Sequence, residues 1–408
     1  VDVGREPPAN NQRSQEMTVM PPALSDRDLL ARLVAFDSTS RYSNRPIAEF
    51  ICDYLDGPGV TILRNASDDG EKVNLIVRVA SRGDSGDASG LILSGHMDVV
   101  PAEEPQWRSN PFTLTETADS YIARGAADMK GFVALAINLA REAAAGAAPL
   151  SAPLVLLLTF DEELGLLGAQ HFQRTWRGEI PLPRNAIIGE PTELRVVRLH
   201  KGHLKMRITL GGVPAHSAYP HLGRSAIEPA GRIIVAMSAL RTALEAERCE
   251  TSIHFPQTPF VTLNVATIHG GSAVNIIPDR CVLEVGARVL PGMDSKMIID
   301  RVRAAVLAVD DLPECTVEVT NDGPPLHAPA DCAVHSALCR IIGQAGDEAV
   351  SYASDAGVFQ QMGIDSVLYG PGTIEVAHKP NESLPKAEFV EARRVLERVI
   401  GEFCRTSR

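Results

Sequence analysis

His96, Asp98, Asp128, the pair Glu162-Glu163, Glu190 and His378 are residue types that bind divalent metal ions or move protons. Nearly all of them stand where an apolar run stops. His96 follows Leu91-Ile92-Leu93, Glu162-Glu163 follow the run from Leu154 to Phe160, and Glu190 follows Ala186-Ile187-Ile188. His378 comes after Gly370-Pro371-Gly372, beyond the run from Asp365 to Tyr369, and Asp128 sits at the mouth of an alanine-rich stretch. Singly, each has a plain structural reading: a capping aspartate at a helix N-terminus, a solvated acidic loop, a turn glutamate before Pro191. Jointly they are harder to dismiss, because charged groups are rarely kept at the ends of deeply apolar strands without a partner. Two imidazoles with three or four carboxylates suit a pair of borderline-soft divalent ions, above all zinc.

That site would do hydrolysis. A metal-bound water drops from a pKa of about 15.7 to about 7, and two ions about 3.5–4 Å apart can share and orient it. Residues i and i+2 of an extended chain face the same way, so Asp98 is expected to hold the imidazole of His96 from behind. In an extended segment the neighbours Glu162 and Glu163 point apart, so one can bind metal while the other acts as general base. The spacing alone leaves open which does which.

The elements that must position these groups read as alternating strands and helices. Ser25 caps a first helix, with Asp28 placed to complete a capping box, and a second amphipathic helix covers Arg45 to Leu55. Strands follow at 74–79 and 91–94. The run from Pro153 to Phe160 lacks polar alternation, as expected of a strand buried on both faces of a parallel sheet. From 198 to 321 the order changes to β-α-β-β-α-β, the ferredoxin-like arrangement. The α/β pattern then returns, with a helix at 333–343, a strand at 365–369 and an amphipathic helix at 386–403. The expected fold class is therefore α/β, with one catalytic domain (24–197 and 322–408) interrupted by an inserted α+β domain (198–321). Residues 1–23, polar and proline-rich, are expected to be a disordered lead-in.

Composition excludes several classes. The net charge of -12, without a lysine/arginine run, argues against a basic surface for nucleic acid or anionic membrane. No apolar run approaches the ~18 residues of a membrane span, and the N-terminal stretch has no hydrophobic core of a signal peptide. The 7 cysteines are scattered, odd in number and free of C-x-x-C pairs, which points to reduced thiols in a cytoplasm. No G-x-G-x-x-G after a strand and no Walker motif supports a nucleotide-dependent enzyme.

Taken together, SGHMDVVP, ARGAADMKG, TFDEELG, GEPT, GVPAHSAYPHLGRSAI, SAVNIIPD and GPGTIEVAHKPNE resemble the co-catalytic zinc amidohydrolases. That family includes aminoacylase, succinyl-diaminopimelate desuccinylase and acetylornithine deacetylase. The likeness runs collinearly from about Leu29 to the C-terminus. ARGAADMKG, GEPT followed by HKG, and GPGTIEVAHKPNE are most similar to the acetylornithine-cleaving branch. The resemblance implies a homodimer joined through the inserted domain and two zinc ions per subunit, with cobalt able to substitute. It implies that Asp128 bridges the ions, with His96 and Glu190 completing one site and Glu163 and His378 the other. It further implies that Glu162 is the general base, that Asp98 orients His96, and that the peptide bond after Asp128 is cis. In the inserted domain, His216 matches a histidine that reaches across the dimer to the oxyanion, and Asn275 and Arg288 match substrate-contacting positions. Arg288 also has a plainer reading as a strand-edge ion pair. His200 and His203 invite a metal reading, but they precede a strand and the two-zinc set is complete without them. The implied reaction is hydrolysis of the amide of N-acetyl-L-ornithine in arginine biosynthesis. The alternatives are a sibling N-acyl-amino-acid hydrolase, namely a desuccinylase, aminoacylase or dipeptidase, and a zinc-binding regulatory protein without catalysis.

Overall fold

A computed structural model of the chain describes residues 21–82, 89–146 and 150–405. Residues 1–20 of the expected lead-in lie outside the described residues. Helix α1 (Asp26–Val34) starts on Ser25, whose hydroxyl accepts the amide of Asp28 at 3.1 Å. The expected box closes only halfway: the Asp28 carboxylate takes the Ser25 hydroxyl and Arg27 rather than the cap's backbone amide. Helix α2 (Arg45–Leu55) leads into strands β1 (Val60–Ala66), β2 (Val73–Val79) and β3 (Leu91–His96). Two short strands, β4 (Thr115–Glu116) and β5 (Ser120–Ile122), precede α3 (Gly131–Ala145). Then come β6 (Leu154–Thr159), α4 (Leu167–Thr175), β7 (Asn185–Ile188) and β8 (Val197–His200).

Strand β9 (His203–Gly211), α5 (Ile227–Ala246), β10 (Thr262–Gly270), β11 (Arg280–Arg288), α6 (Ser295–Leu307) and β12 (Cys315–Gly323) build a separate four-stranded antiparallel sheet. Its order, β10-β11-β9-β12, is that of a ferredoxin-like sheet. Alternation along β9 buries Leu204, Met206, Ile208 and Leu210 in a core shared with α5 and α6. His203 and Lys205 thereby face the other way. Strand β8 belongs to the large sheet, where it pairs with β15 and β13, so 198–200 lie there and the small sheet begins only at His203.

The remaining elements return to the large sheet: β13 (Leu326–His327), α7 (Ala333–Ile342), β14 (Glu348–Val350), α8 (Ala356–Gln361) and β15 (Asp365–Leu368). Strand β16 (Ser383–Pro385) pairs with β5 in a three-stranded patch, and α9 (Lys386–Ile400) follows. The large sheet runs β1-β2-β6-β3-β7-β15-β8-β13, with β14 on β8. It is mixed rather than wholly parallel, because β2 pairs antiparallel with both β1 and β6. Its centre is parallel: β6, β3, β7 and β15 lie side by side in one direction. Every residue of β3, β6 and β7 is buried. Helix α3 packs along β3 and β6, while α4 and α8 pack on one another and on β2 and β15. Among the described residues, no helix is long and apolar enough to cross a membrane.

Candidate active site

The four central parallel strands are the ones that end in the chemistry-bearing residues. His96 closes β3, Glu162 and Glu163 follow β6, Glu190 follows β7, and the loop after β15 carries His378. Ligands gather beyond the carboxyl ends of such strands. Asp128 reaches the same edge from the turn 126–130 ahead of α3, and its peptide bond to Met129 is cis, as the resemblance implies.

Asp128 lies between the two histidines. Its Oδ1 is 3.0 Å from Nε2 of His96 and its Oδ2 is 3.3 Å from Nε2 of His378. Glu163 also meets His378, at 3.0 Å. The potential donor atoms of His96, Asp128 and Glu190 lie within 4.8 Å of one another, as do those of Asp128, Glu163 and His378. Glu190 keeps a buried Oε1 with no hydrogen-bond partner among the described residues. Such an orphaned carboxylate oxygen, in a set of two imidazoles and three carboxylates, fits two divalent cations that share Asp128.

The electrostatics ask for added positive charge. Burial raises the carboxyls of Glu162, Glu163 and Glu190, and repulsion adds to it, from Glu190 on Glu162 and from Asp128 on the other two. Burial works against the charge on Asp128 too, but hydrogen bonds from His378 and His96 hold its carboxyl well below the usual range. Hydrogen bonds to Asp128 and Glu163 push His378 up to about 10. For His96, burial opposes the cation, yet the Asp128 contact prevails and its pKa stands well above an ordinary imidazole. A dication among these groups would relieve the carboxylate repulsion and turn both histidines into neutral ligands.

The family model for peptidase family M20/M25/M40 matches residues 92–402. The chain belongs to that family. It is a metallohydrolase, and its relatives make it a hydrolase of N-acyl amino acids in the broad sense. The acetylornithine deacetylase of Myxococcus xanthus is 35% identical over 387 residues, 94% of this chain and 98% of its own. That of Proteus mirabilis is 32% identical over 386 residues, 93% of this chain and 95% of its own. The M20 family metallo-carboxypeptidase of Sulfolobus solfataricus shares the fold, with a TM-score of 0.74 at 16% identity, covering 93% of this chain and 99% of that one.

In this metallohydrolase Asp98 meets the His96 imidazole chiefly through its backbone. Nδ1 of His96 is bound by the backbone carbonyl of Asp98 at 2.9 Å, whereas the carboxylate Oδ1 is 3.7 Å away. That carboxylate accepts the amide of Glu162 at 3.1 Å, the amide of Glu163 at 3.3 Å and the Ser40 hydroxyl at 2.7 Å. The reason is local. Asp161 takes a left-handed φ of 47°, so Glu162 and Glu163 sit in a turn rather than an extended segment, and their amides point at Asp98.

A cavity of about 120 Å³ brings together Asp128, Glu162, Glu163, Glu190 and His378 with His203 and Arg288 from the small sheet. Arg288 thus faces the carboxylates, and the charge it senses is Glu162 rather than a strand neighbour. Burial, with help from Arg288, pushes His203 down to about 3 and His200 down to about 4. His200 lies away from the cavity lining, its Nδ1 on the carbonyl of Lys201 at 3.0 Å. His216 and Asn275 do not line the cavity; they are exposed on adjoining segments of the small domain, where the Ser217 amide binds the Asn275 carbonyl.

Sequence reasoning passed over several residues here. Glu382 is buried and accepts the amides of Ala127 and Asp128 at 2.8 and 3.0 Å on one oxygen. Its other oxygen takes the Gly125 amide and the Arg124 guanidinium. Its signal was present, since Glu382 ends the GPGTIEVAHKPNE segment. Asp355 gave none: its Oδ2 accepts the Thr159 hydroxyl at 2.6 Å, fixing the segment before α8 to the end of β6. Tyr352, on that segment, lines the cavity.

Proposed function

We propose that this chain hydrolyses N-acetyl-L-ornithine to L-ornithine and acetate, a step of arginine biosynthesis. The placement of Asp128 carries the reading, one carboxylate with an oxygen at each of two histidines. Likeness to acetylornithine deacetylases along nearly the whole chain supports the substrate. His96, Asp128 and Glu190 would hold one zinc ion and Asp128, Glu163 and His378 the other, with cobalt able to replace them. When bound, such ions polarise an acyl carbonyl and lower the pKa of water. Glu162 shares the cavity without a histidine of its own; it takes the proton from water and later delivers it to the departing amine. Burial and Glu190 already raise its carboxyl, the direction a proton-exchanging acid requires. Arg288 offers the α-carboxylate a bidentate fork. His216 and Asn275 would serve the active site of a second subunit in a homodimer joined through the inserted domain.

The test compares kcat/KM of zinc-reconstituted protein on N-acetyl-ornithine, N-succinyl-diaminopimelate and N-acetyl-methionine. A preference for acetylornithine of order a hundredfold, about 2.7 kcal/mol in the transition state, is expected. Equal rates on the two acetyl substrates would make it a general aminoacylase, and preference for the succinyl substrate a desuccinylase. Glu162→Gln should lose about 10²- to 10⁴-fold in kcat while still binding two metal ions. Loss of metal in that variant would exchange the roles of Glu162 and Glu163.

A further inference from the structure

Most polar groups that the catalytic domain gives to the cavity wall are carboxylates, and His378 beside them is already engaged by Asp128 and Glu163. Ionised Asp128, Glu162, Glu163 and Glu190 accept hydrogen bonds and donate none. A carbonyl under attack needs the opposite, because its oxygen gains negative charge as the tetrahedral intermediate forms. His216, which the resemblance gives that task, does not line this cavity, and Arg288 approaches from the small sheet.

Tyr352 brings a hydroxyl donor to the carboxylate side. It lines the cavity, and its ring packs against the large core. Its hydroxyl is shielded from solvent, with no hydrogen-bond partner among the described residues. A buried hydroxyl left unpaired is costly, and such groups in native proteins are commonly completed by a ligand. The segment that carries it is fixed at both ends. Val350 accepts the Lys201 amide, and Asp355 is tied to Thr159. A phenol ordinarily titrates near 10 and is a donor at neutral pH.

We propose that the Tyr352 hydroxyl donates a hydrogen bond to the acyl oxygen of the substrate as that oxygen becomes anionic, an oxyanion donor supplied by the same chain as Glu162. The inference rests on the deacylase reading above. Water oxygen bonds to the acyl carbon, its proton passes to Glu162, and the carbonyl π pair moves onto the oxygen that Tyr352 holds. Collapse restores the carbonyl and breaks the C–N bond, and Glu162 returns its proton to the amine. The acid product releases its own proton to solvent. Tyr352 keeps its proton throughout.

Tyr352→Phe removes the hydroxyl and keeps the ring, so folding is preserved. With wild-type holoenzyme as reference, kcat on the best substrate of the panel should fall about tenfold to a hundredfold, near the lower range for one oxyanion donor. KM should change less than about twofold, since the contact is made in the transition state. Zinc content and Tm should be unchanged. A boronic-acid analogue of the tetrahedral species should bind the variant more weakly by a similar factor. Unchanged kcat, a loss confined to KM, or a loss explained by missing zinc would each overturn the assignment. Should wild type hydrolyse none of the three substrates, the deacylase reading fails by itself. The boronate comparison then decides on Tyr352, with equal affinities for the two proteins overturning it.

Discussion

Asp98 shows how one carboxylate sets the geometry of two others. It accepts the amides of both Glu162 and Glu163, so the proposed base and a proposed ligand hang from one residue. Asn at this position keeps one acceptor oxygen and turns a donor toward the other amide. Asp98→Asn should therefore lower kcat about tenfold to a hundredfold, 1.4–2.7 kcal/mol, with metal content held near wild type in a stoichiometry measurement. Metal loss ahead of kcat loss would return Asp98 to the role of imidazole orienter. His200 makes a different prediction. It is buried, its Nε2 has no hydrogen-bond partner among the described residues, and burial lowers its pKa to about 4 from an ordinary 6.5. The folded protein then binds fewer protons than the unfolded chain between those values. The stability held above pH 6.5 is thus lost as pH falls toward 4, at a slope of up to about 1.4 kcal/mol per pH unit from this group. Urea unfolding at pH 7 and pH 5 should show a smaller difference in His200→Asn than in wild type.

At the scale of elements, the edge where β3, β6, β7 and β15 end depends on close packing against α3. Gly189 continues β7 into Glu190, and a Cβ there would stand 1.9 Å from the Phe132 ring of α3. No side chain fits without displacing the Phe132 ring, which α3 carries just after Asp128. Gly189→Ala should cost about 1–3 kcal/mol by overpacking, read as a lower Tm. It should also weaken metal binding, because Glu190 and Asp128 are displaced together. The buried strands were legible because LVLLLT and NAII lack any polar alternation. The edge strand β1 was not, because its half-exposed VTILRNA follows a Gly-Pro-Gly turn and its antiparallel pairing with β2 is a long-range choice. The two- and three-residue strands of the small β16-β5-β4 patch are likewise too short to carry a period.

At the scale of the molecule, the small sheet meets the large one at the cavity through His203 and Arg288, while His216 and Asn275 are exposed on segments of the small domain outside its strands. If the proposed dimer shares residues between subunits, each site needs Glu162 from one chain and His216 from the other. Mixing the inactive variants Glu162→Gln and His216→Ala under subunit exchange should then restore activity, since a heterodimer contains one site with both residues intact. A mixture as inactive as its parts would confine each site to one chain.

The sequence by itself determined the candidate ligands, the α/β alternation and the β-α-β-β-α-β insert, because these follow from residue type and hydrophobic period. It also pointed to the edge where the ligands meet, since all but Asp128 come after an apolar run. Only the tertiary structure decided which strands are neighbours, how Asp128 divides its oxygens between His96 and His378, and what Asp98 and Glu382 hold. Those outcomes depend on groups far apart in the chain meeting in the fold, as where the turn at Asp161 aims the amides of Glu162 and Glu163 at Asp98. Hydrogen bonds between groups so distant in sequence leave no period, spacing or composition to read.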